Sequence, residues 1–321
     1  GIMDGTARLQ TLSGQQTVTS ALRVEGLGYN GYELGNLTAK SVWEPLFNHI
    51  IVDADMEKNA REFFSLRGFY YLQDPEKALS LRARLSQADL KLVEPFAEGI
   101  VTDLEGTVSG ELGISGSVAK PVLDGALSIQ KGRLKVDYLQ SVLSFSDKVV
   151  FSDGKIAVNT IQVSDSEGNK AMLSGGVFHD NFKDITLDFS ANMRNFKILN
   201  TQIQDNDLFY GQAYASGLAR LYGSLENIAI EANVTSNKGT RIYIPMDGAS
   251  DVATQDYIQF VSKQVAVPAG TGARQPPRSS VNGGIKMDFN FNITPDAYWE
   301  IQLDRQAGDI IKAFGRGLIN M

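Results

Sequence analysis

The sequence predicts a mainly β protein, a long twisted sheet of antiparallel type with one apolar and one polar face. Three observations carry that prediction. Apolar and polar residues alternate along most of the 321 residues, the period-2 signature of a strand with one buried side. Clusters of Gly, Asp and Asn break the alternation at short intervals, where turns belong. A helical period surfaces in only one short stretch.

Taken in order, Val18, Ser20, Leu22 and Val24 share one face of an early strand. Lys58 to Phe64 reads as a short turn of helix. Leu79, Leu81, Ala83 and Leu85 alternate again. One short amphipathic helix is predicted near 93–105, because Phe96, Ile100 and Leu104 recur at helical spacing with Val93, Ala97 and Val101 beside them. Glu94 and Glu98 stand near its start, where the helix dipole favours acid.

The clearest alternation follows. Val108, Gly110, Leu112, Ile114, Gly116 and Val118 face one way, and Ser109, Glu111, Ser115 and Ser117 the other. After a turn at Lys120-Pro121, Leu123, Gly125, Leu127 and Ile129 oppose Asp124, Ser128 and Gln130. Lys131-Gly132 is expected to turn the chain into a third strand with Leu134, Val136 and Tyr138 on its apolar side. Antiparallel sheet with one buried side reads this way.

The same texture returns at Ile185-Leu187-Phe189-Ala191-Met193, at Ile228-Ile230-Ala232-Val234 and at Ile285-Met287-Phe289-Phe291-Ile293. Turn signals at Asp153-Gly154, Glu167-Gly168-Asn169, Asp180-Asn181 and Asn237-Lys238-Gly239 separate these runs. At about 13 residues per strand and turn, the chain holds on the order of 20 strands. Residues 266–284 lack periodicity and are rich in Gly, Pro and Ser, so a flexible loop is expected there. The remainder, 1–321, is expected to form a single elongated segment.

Composition narrows the function. Hydrophobic residues make up 43% and charged residues 21%, as in folded proteins. Thirty Lys and Arg against 37 Asp and Glu leave a net charge of −7 with no basic cluster, which argues against a nucleic-acid partner. Cysteine is absent, so disulfide scaffolds, thiol catalysis and Cys-ligated zinc are excluded. That absence suits the cytosol and equally an oxidising periplasm. No run of ~18 apolar residues is present to span a bilayer as a helix. The chain opens on GIMDGTARL without a signal-like segment and closes on GRGLINM inside a strand, so both ends read as cut from a longer protein.

No catalytic, metal or cofactor site is expected. Ser117-Val118-Ala119-Lys120 spells the SxxK motif of penicillin-interacting enzymes, but Pro121 follows at once and strands flank it, so it reads as a turn. Asp165, Glu167 and Asn169, and likewise Asp205 and Asp207, faintly suggest a calcium loop without its central Gly and distal Glu in register. Gly308-Asp309-Ile310-Ile311 with Gly315-Arg316-Gly317 lacks the helix that a nucleotide loop needs, and strand glycines are the simpler reading. His49 and His179, the two histidines, have no fixed relation to a Ser, Asp or Glu relay. Phe209, Tyr210, Tyr214 and Tyr222 gather around the small residues Ala213, Ala215, Gly217 and Ala219, which cross-strand packing is enough to explain, with a sugar- or lipid-contacting surface as the alternative.

The run VEPFAEGIVTDLEGTVSGELGISGSVAKPVLDGALSIQKGRLKVDYL resembles the C-terminal region of TamB, the large subunit of the translocation and assembly module. So do ILNTQIQDNDLFYGQAYASGLARLYGS, NKGTRIYIPM and DRQAGDIIKAFGRGLINM, in that order, and the later segments look most like Bacteroidota members. The resemblance runs from about Asn36 onward. The phrasing Gly116, Pro121, Leu123, Gly125 is shared with the wider AsmA-like group and is less specific.

The resemblance implies an open, taco-shaped sheet around an apolar groove. It also implies a periplasmic protein, anchored in the inner membrane outside this chain, that carries phospholipid to the outer membrane beside a BamA/TamA-type barrel. The barrel-docking region expected beyond Met321 is not in this chain. The acyl-chain contacts are then expected on the alternating apolar residues: Val108, Leu112, Ile114, Leu123, Leu127, Ile129, Leu134, Val136, Tyr138, Ile185, Leu187 and Phe189. Two rivals stand beside this expectation. One is a scaffold that offers sheet edges to outer-membrane strands by β-augmentation. The other is a closed sandwich or stalk whose apolar face meets a second sheet.

Overall fold

The computed structural model describes residues 1–12, 15–29, 31–97, 99–205, 209–245, 284–304, 309–313 and 317–320. The expected flexible loop 266–284 lies outside them, except for Gly284, which opens a strand.

Period-2 alternation forms the strands it predicts. The first half contains β1 (Ile2–Leu12), β2 (Gln15–Tyr29), β3 (Tyr32–Glu44), β4 (His49–Lys58), β5 (Arg61–Tyr71), β6 (Leu79–Asp89), β7 (Val101–Gly116), β8 (Pro121–Val136) and β9 (Ser141–Ser152). The second contains β10 (Lys155–Ser164), β11 (Lys170–Asp180), β12 (Lys183–Thr201), β13 (Tyr210–Ser224), β14 (Asn227–Ser236) and β15 (Arg241–Pro245). It closes with β16 (Gly284–Ile293), β17 (Tyr298–Asp304), β18 (Asp309–Ala313) and β19 (Gly317–Asn320). All nineteen strands belong to one open sheet.

From β1 to β13 each strand pairs antiparallel with the next, a meander. The long β13 then takes two partners along one edge, β14 beside Ala215–Ser224 and β15 beside Tyr210–Gln212. Here the pairing departs from the antiparallel expectation. β14 with β16 and β15 with β17 run parallel. A parallel neighbour requires a long return connection, and residues 246–283 separate β15 from β16. β17 then pairs with β18, and β16 with β19, antiparallel.

Three local expectations are corrected. The predicted helix near 93–105 is a 3₁₀ segment, Leu90–Phe96, followed by the start of β7 at Val101. Pro95 sits inside that segment and has no N–H to give, and Gly99 turns the chain at φ +80°. Leu104, counted as the third helical rung, is a buried strand residue. Lys58 to Phe64 is a hairpin turned by Asn59 and Ala60 at φ 54° and 59°, not a helical turn. Lys131-Gly132 does not turn the chain either: β8 runs through it to Val136.

What occupies Lys131 is a β-bulge, and the device recurs. In β8 the pairing steps from Ile129 to Gly132 while β9 steps from Asp147 to Phe145, so two residues oppose Ser146 alone. Lys131 takes φ 52°, and its N–H donates to Ser146 Oγ at 2.9 Å. In β6, Gln87 (φ 49°) donates to Ser109 Oγ at 2.8 Å; in β12, Asn195 (φ 48°) donates to Ser216 Oγ at 2.8 Å. In β2, Gly26 (φ 62°) donates to Asn36 Oδ1 at 3.0 Å. Each bulge inserts one residue, so the apolar side chain resumes three positions on and stays on its own face: Leu85 to Ala88, Ile129 to Gly132, Met193 to Phe196, Val24 to Leu27. Bulges bend and twist a strand locally, and a polar side chain opposite each one satisfies the N–H it leaves over.

Some glycines are equally committed. Gly175 has φ +135°, and a Cβ there would stand 2.1 Å from the Asp188 carbonyl oxygen. Gly175→Ala is expected to cost about 1–3 kcal/mol in chemical denaturation. Ser146→Ala should lose about 1 kcal/mol through the Lys131 N–H alone. A Gly175→Ala chain as stable as the parent would show that this backbone relaxes freely.

Candidate functional site

The sheet's faces separate by parity. Residues paired directly across antiparallel strands point to the same side, so an apolar position stays apolar only where its neighbour is also in phase. One such line starts Gly5–Leu22–Ala39–Ala54–Leu66 on β1 to β5. It continues Ala83–Leu112–Gly125–Phe151 on β6 to β9, and Ile156–Val177–Leu187–Gly223–Ile228 on β10 to β14. No polar side chain interrupts it.

A second line, two residues along every strand, behaves alike. It passes Met3, Val24, Leu37, Met56, Phe64 and Leu85, then Gly110, Leu127 and Val149. The β9–β10 register is irregular between Ala157 and Val163, and beyond it a corresponding line passes Val158, Gly175, Phe189, Leu221 and Ile230. At ~4.8 Å per strand, the first line runs roughly 60 Å across the sheet. Glycine falls opposite a large side chain in these lines, as at Gly110 beside Leu127 and Gly175 beside Phe189. A face that bends inward crowds its side chains, and a missing one makes room.

Two regions of this face are densely packed. Val108, Leu112, Leu127 and Ile129 are buried together with Leu90 and Leu104, and Ile114 and Leu134 pack against them. The 3₁₀ segment closes this end: Glu94 accepts from Tyr32 Oη and from Leu104 N–H, each at 3.0 Å, tying it to β3 and β7. The second region gathers Phe196, Leu199, Val234, Phe291 and Trp299, with the Phe291 and Trp299 rings edge-to-face at 5.8 Å.

The structure therefore places the expected residues as follows. Val108, Leu112, Leu127 and Ile129 come together in one cluster, and Leu123 pairs with Ile114 one line further along. Val136 is half-buried at the end of β8, and Tyr138 lies beyond it with its ring edge-on to Phe209 at 6.0 Å. Leu187 is buried and Ile185 and Phe189 half-buried on β12, outside that cluster but on the same apolar face. Val118 departs from the expectation: it stands 66% exposed in the turn after β7. The residues that sequence reasoning missed are those of β3 to β5, such as Leu37, Met56 and Leu66, which extend both lines. Their alternation is visible in the sequence, but broken by Gly68 and the Asn59-Ala60 turn.

The opposite face is polar and laced with cross-strand pairs. Arg67 reaches Asp53 and Asp55, Arg84 binds Glu111, Arg133 binds Glu105, and Arg220 grips Asp188 with two bonds of 2.9 Å. The Arg220 hydrogen bond holds the Asp188 carboxyl below its usual range. Exposed pairs of this kind contribute little to stability each. They mark which side meets water.

None of the motifs weighed for chemistry assembles a reactive site. Ser117 Oγ accepts from Lys120 N–H at 3.0 Å, a capped turn. Among the described residues no group of three His, Asp or Glu side chains is disposed to hold a metal. Asp207, Gly308, Gly315 and Arg316 lie outside the described residues. His49 is buried, its Nε2–H donates to the Glu44 carboxylate at 3.0 Å, and its ring packs edge-on against the Phe69 and Tyr71 rings.

Asp165 is a capping residue. Its carboxylate, 5% exposed, accepts from the N–H groups of Glu167, Asn169 and Lys197 and from the Asn169 amide, all at 2.8–2.9 Å. Its oxygens are thus turned to the protein's own donors. Beside it, Tyr214 Oη donates to Glu167, and burial first, then that bond, push the phenol up to about 12.

The described residues form a single continuous open sheet, apolar on one side, which defines the class as an open-sheet β protein. The comparison with protein families agrees with that class. The family model of the TamB C-terminal domain matches residues 158–320, and the chain belongs to the TamB family. Membership makes it a cell-envelope protein of a transport and assembly module, whose members work with TamA-type partners. No curated protein and no solved structure matches the chain. The match begins within β10, yet the first apolar line crosses from β10 into β9 through Ile156 and Phe151 and on to β1.

Asp165 sets an acid dependence. Burial alone would raise its pKa, but the Asn169 amide and three backbone N–H groups outweigh burial and hold it below the ordinary carboxylate value. Its stabilisation is therefore complete above the unfolded-state pKa and is lost as pH falls through the lower folded-state value. Asp165→Asn should be less stable at neutral pH and lose less stability than the parent on acidification, followed by thermal melts from pH 7 to 3.

Proposed function

We propose that this chain is part of a periplasmic, bridge-like carrier that moves phospholipid between the inner and outer membranes along its apolar face. The observation that carries the reading is the apolar line uninterrupted from β1 to β14, with a second apolar line beside it on β1 to β9 and on β10 to β14. A phospholipid brings on the order of 30 methylenes, each costing about 0.8 kcal/mol in water, so its passage needs a continuous lining rather than one pocket. A surface of repeated rungs supplies the same environment at each step and holds the lipid nowhere in particular. The acyl chains would lie on Val108, Leu112, Leu127 and Ile129 in the first half and on Leu187 and Phe189 in the second. TamB membership points the same way.

In this reading the inner-membrane anchor and the contact with a BamA/TamA-type barrel belong to parts of the protein outside this chain. A second reading rests on a specific feature. β1 pairs with β2 along one edge only among the described residues, and exposes Ile2, Met3 and Leu9. A free edge can accept an outer-membrane strand by β-augmentation.

Leu187→Glu and Thr186→Glu separate the two. Leu187 lies on an apolar line and Thr186, the next residue, is exposed on the other face. Charge in an apolar lining is costly to hold or pass. Leu187→Glu should lose co-purifying lipid, measured by mass spectrometry, and transfer between vesicles by about tenfold or more, whereas Thr186→Glu keeps both. Circular dichroism confirms that each variant folds. Unchanged transfer by folded Leu187→Glu, with crosslinks from β1 to nascent barrel strands, would replace the carrier reading by the scaffold.

A further inference from the structure

One concavity among the described residues lies on the polar side of the sheet. It is an open depression of about 590 Å³ across β11 to β16, joined through Ser174 and Ser190 to a second of about 300 Å³ against β10. We propose that this trough binds a neutral saccharide.

Two lines of the polar face form its floor. Met172, Asn192, Leu218, Asn233 and Asn290 follow one another on β11, β12, β13, β14 and β16. Beside them run Ser174, Ser190, Arg220, Glu231 and Asp288. Here Thr160 and the Ser and Asn side chains named make no hydrogen bond to other described residues. Each amide both donates and accepts, as does each hydroxyl, which suits ligand hydroxyl and acetamido groups. A rigid sheet fixes them at ~4.8 Å lateral spacing, so a ligand meets them already ordered.

Between the amides stand apolar surfaces that water-facing strands normally avoid. Leu218 is 61% exposed, Met172 44%, and the Phe178 ring 37%, with Lys155 Nζ 5.4 Å from its centroid. A pyranose ring has this same mixture: C–H faces that pack on a flat apolar side chain, and an equatorial rim of hydroxyls. The combined volume lies within the range of small-ligand sites.

Charge decides against the other polar ligands. Arg220 is already gripped by Asp188 through two hydrogen bonds, and Lys155 covers Phe178. Glu231 and Asp288 occupy directly paired positions, and Glu231 accepts from Tyr222 Oη at 2.6 Å. The carboxylates Asp188, Glu231 and Asp288 outnumber the cations Arg220 and Lys155, so a phosphate or carboxylate would be repelled. The trough faces away from the apolar lines, so the proposal is independent of lipid carriage.

The test titrates the chain with soluble triacetylchitotriose and, separately, with phosphatidylcholine vesicles carrying a neutral galactosyl lipid, followed by calorimetry and by NMR shifts. Saturable binding of the soluble sugar marks a free glycan chain as the ligand, and binding of the vesicles above plain phosphatidylcholine marks a glycolipid headgroup. Asn192→Ala with Asn233→Ala removes two exposed amides that hold nothing in the protein, so folding is retained. The pair should weaken binding by about tenfold, two hydrogen bonds' worth. Leu187→Glu, on the other face, should leave sugar binding unchanged whatever it does to lipid. Binding of neither probe, or equal binding by the double variant, overturns the proposal.

Discussion

Everything in this molecule depends on registered pairing between neighbouring strands. Side chains alternate with period 2, so a slip of one residue at any strand would turn its apolar side chains into water and interrupt both apolar lines. Among the described residues every strand belongs to this one sheet, so no second sheet corrects such a slip. Registration is instead held strand by strand, through the backbone ladder and through hairpins such as Asn59-Ala60. The bulges are the points at which register changes deliberately. At Gln87, Lys131 and Asn195 one residue is inserted, and Ser109, Ser146 and Ser216 take up the N–H left over. Each strand bends there without losing its face.

That constraint explains how one sheet can present two unlike surfaces. Positions of one parity are filled by Leu, Ile, Val, Phe and Gly, and those of the other by ion pairs, amides and hydroxyls. Burial is concentrated at the cluster around Leu112 and Leu127 and at the aromatic group around Trp299, while stretches between them stay half-buried. A face that is apolar yet incompletely covered suits transient apolar cargo better than a sealed core does. The polar side has its own irregularity, where unpaired asparagines and exposed Leu218 replace the ion pairs.

Much of this was legible in residue order. The alternation from Val108 to Ile129 and from Ile185 to Met193 correctly identifies strands and the side that turns away from water. The family resemblance is drawn from residues 93–139 and from later segments, and the TamB match over 158–320 covers those later segments. The errors share one cause. Lys131-Gly132, Phe96 to Leu104, and Lys58 to Phe64 are places where the alternation is interrupted for a few residues. An interruption looks alike whether the chain turns, bulges or coils. The step of three between Ile129 and Gly132 is a bulge signal, but it becomes one only when Ser146 stands opposite.

By itself, then, the sequence determined the strands and their two faces, because these follow from residue type and period. Tertiary structure alone decided which strand lies beside which. It placed Phe151 next to Ile156 and Leu187 next to Gly223, so that separate apolar runs join into continuous lines. It also set β14 and β15 parallel to β16 and β17, and brought Asn192, Asn233 and Asn290 into one row. Local propensity carries no information about a partner strand many residues away. Only the hydrogen-bonded ladder supplies it.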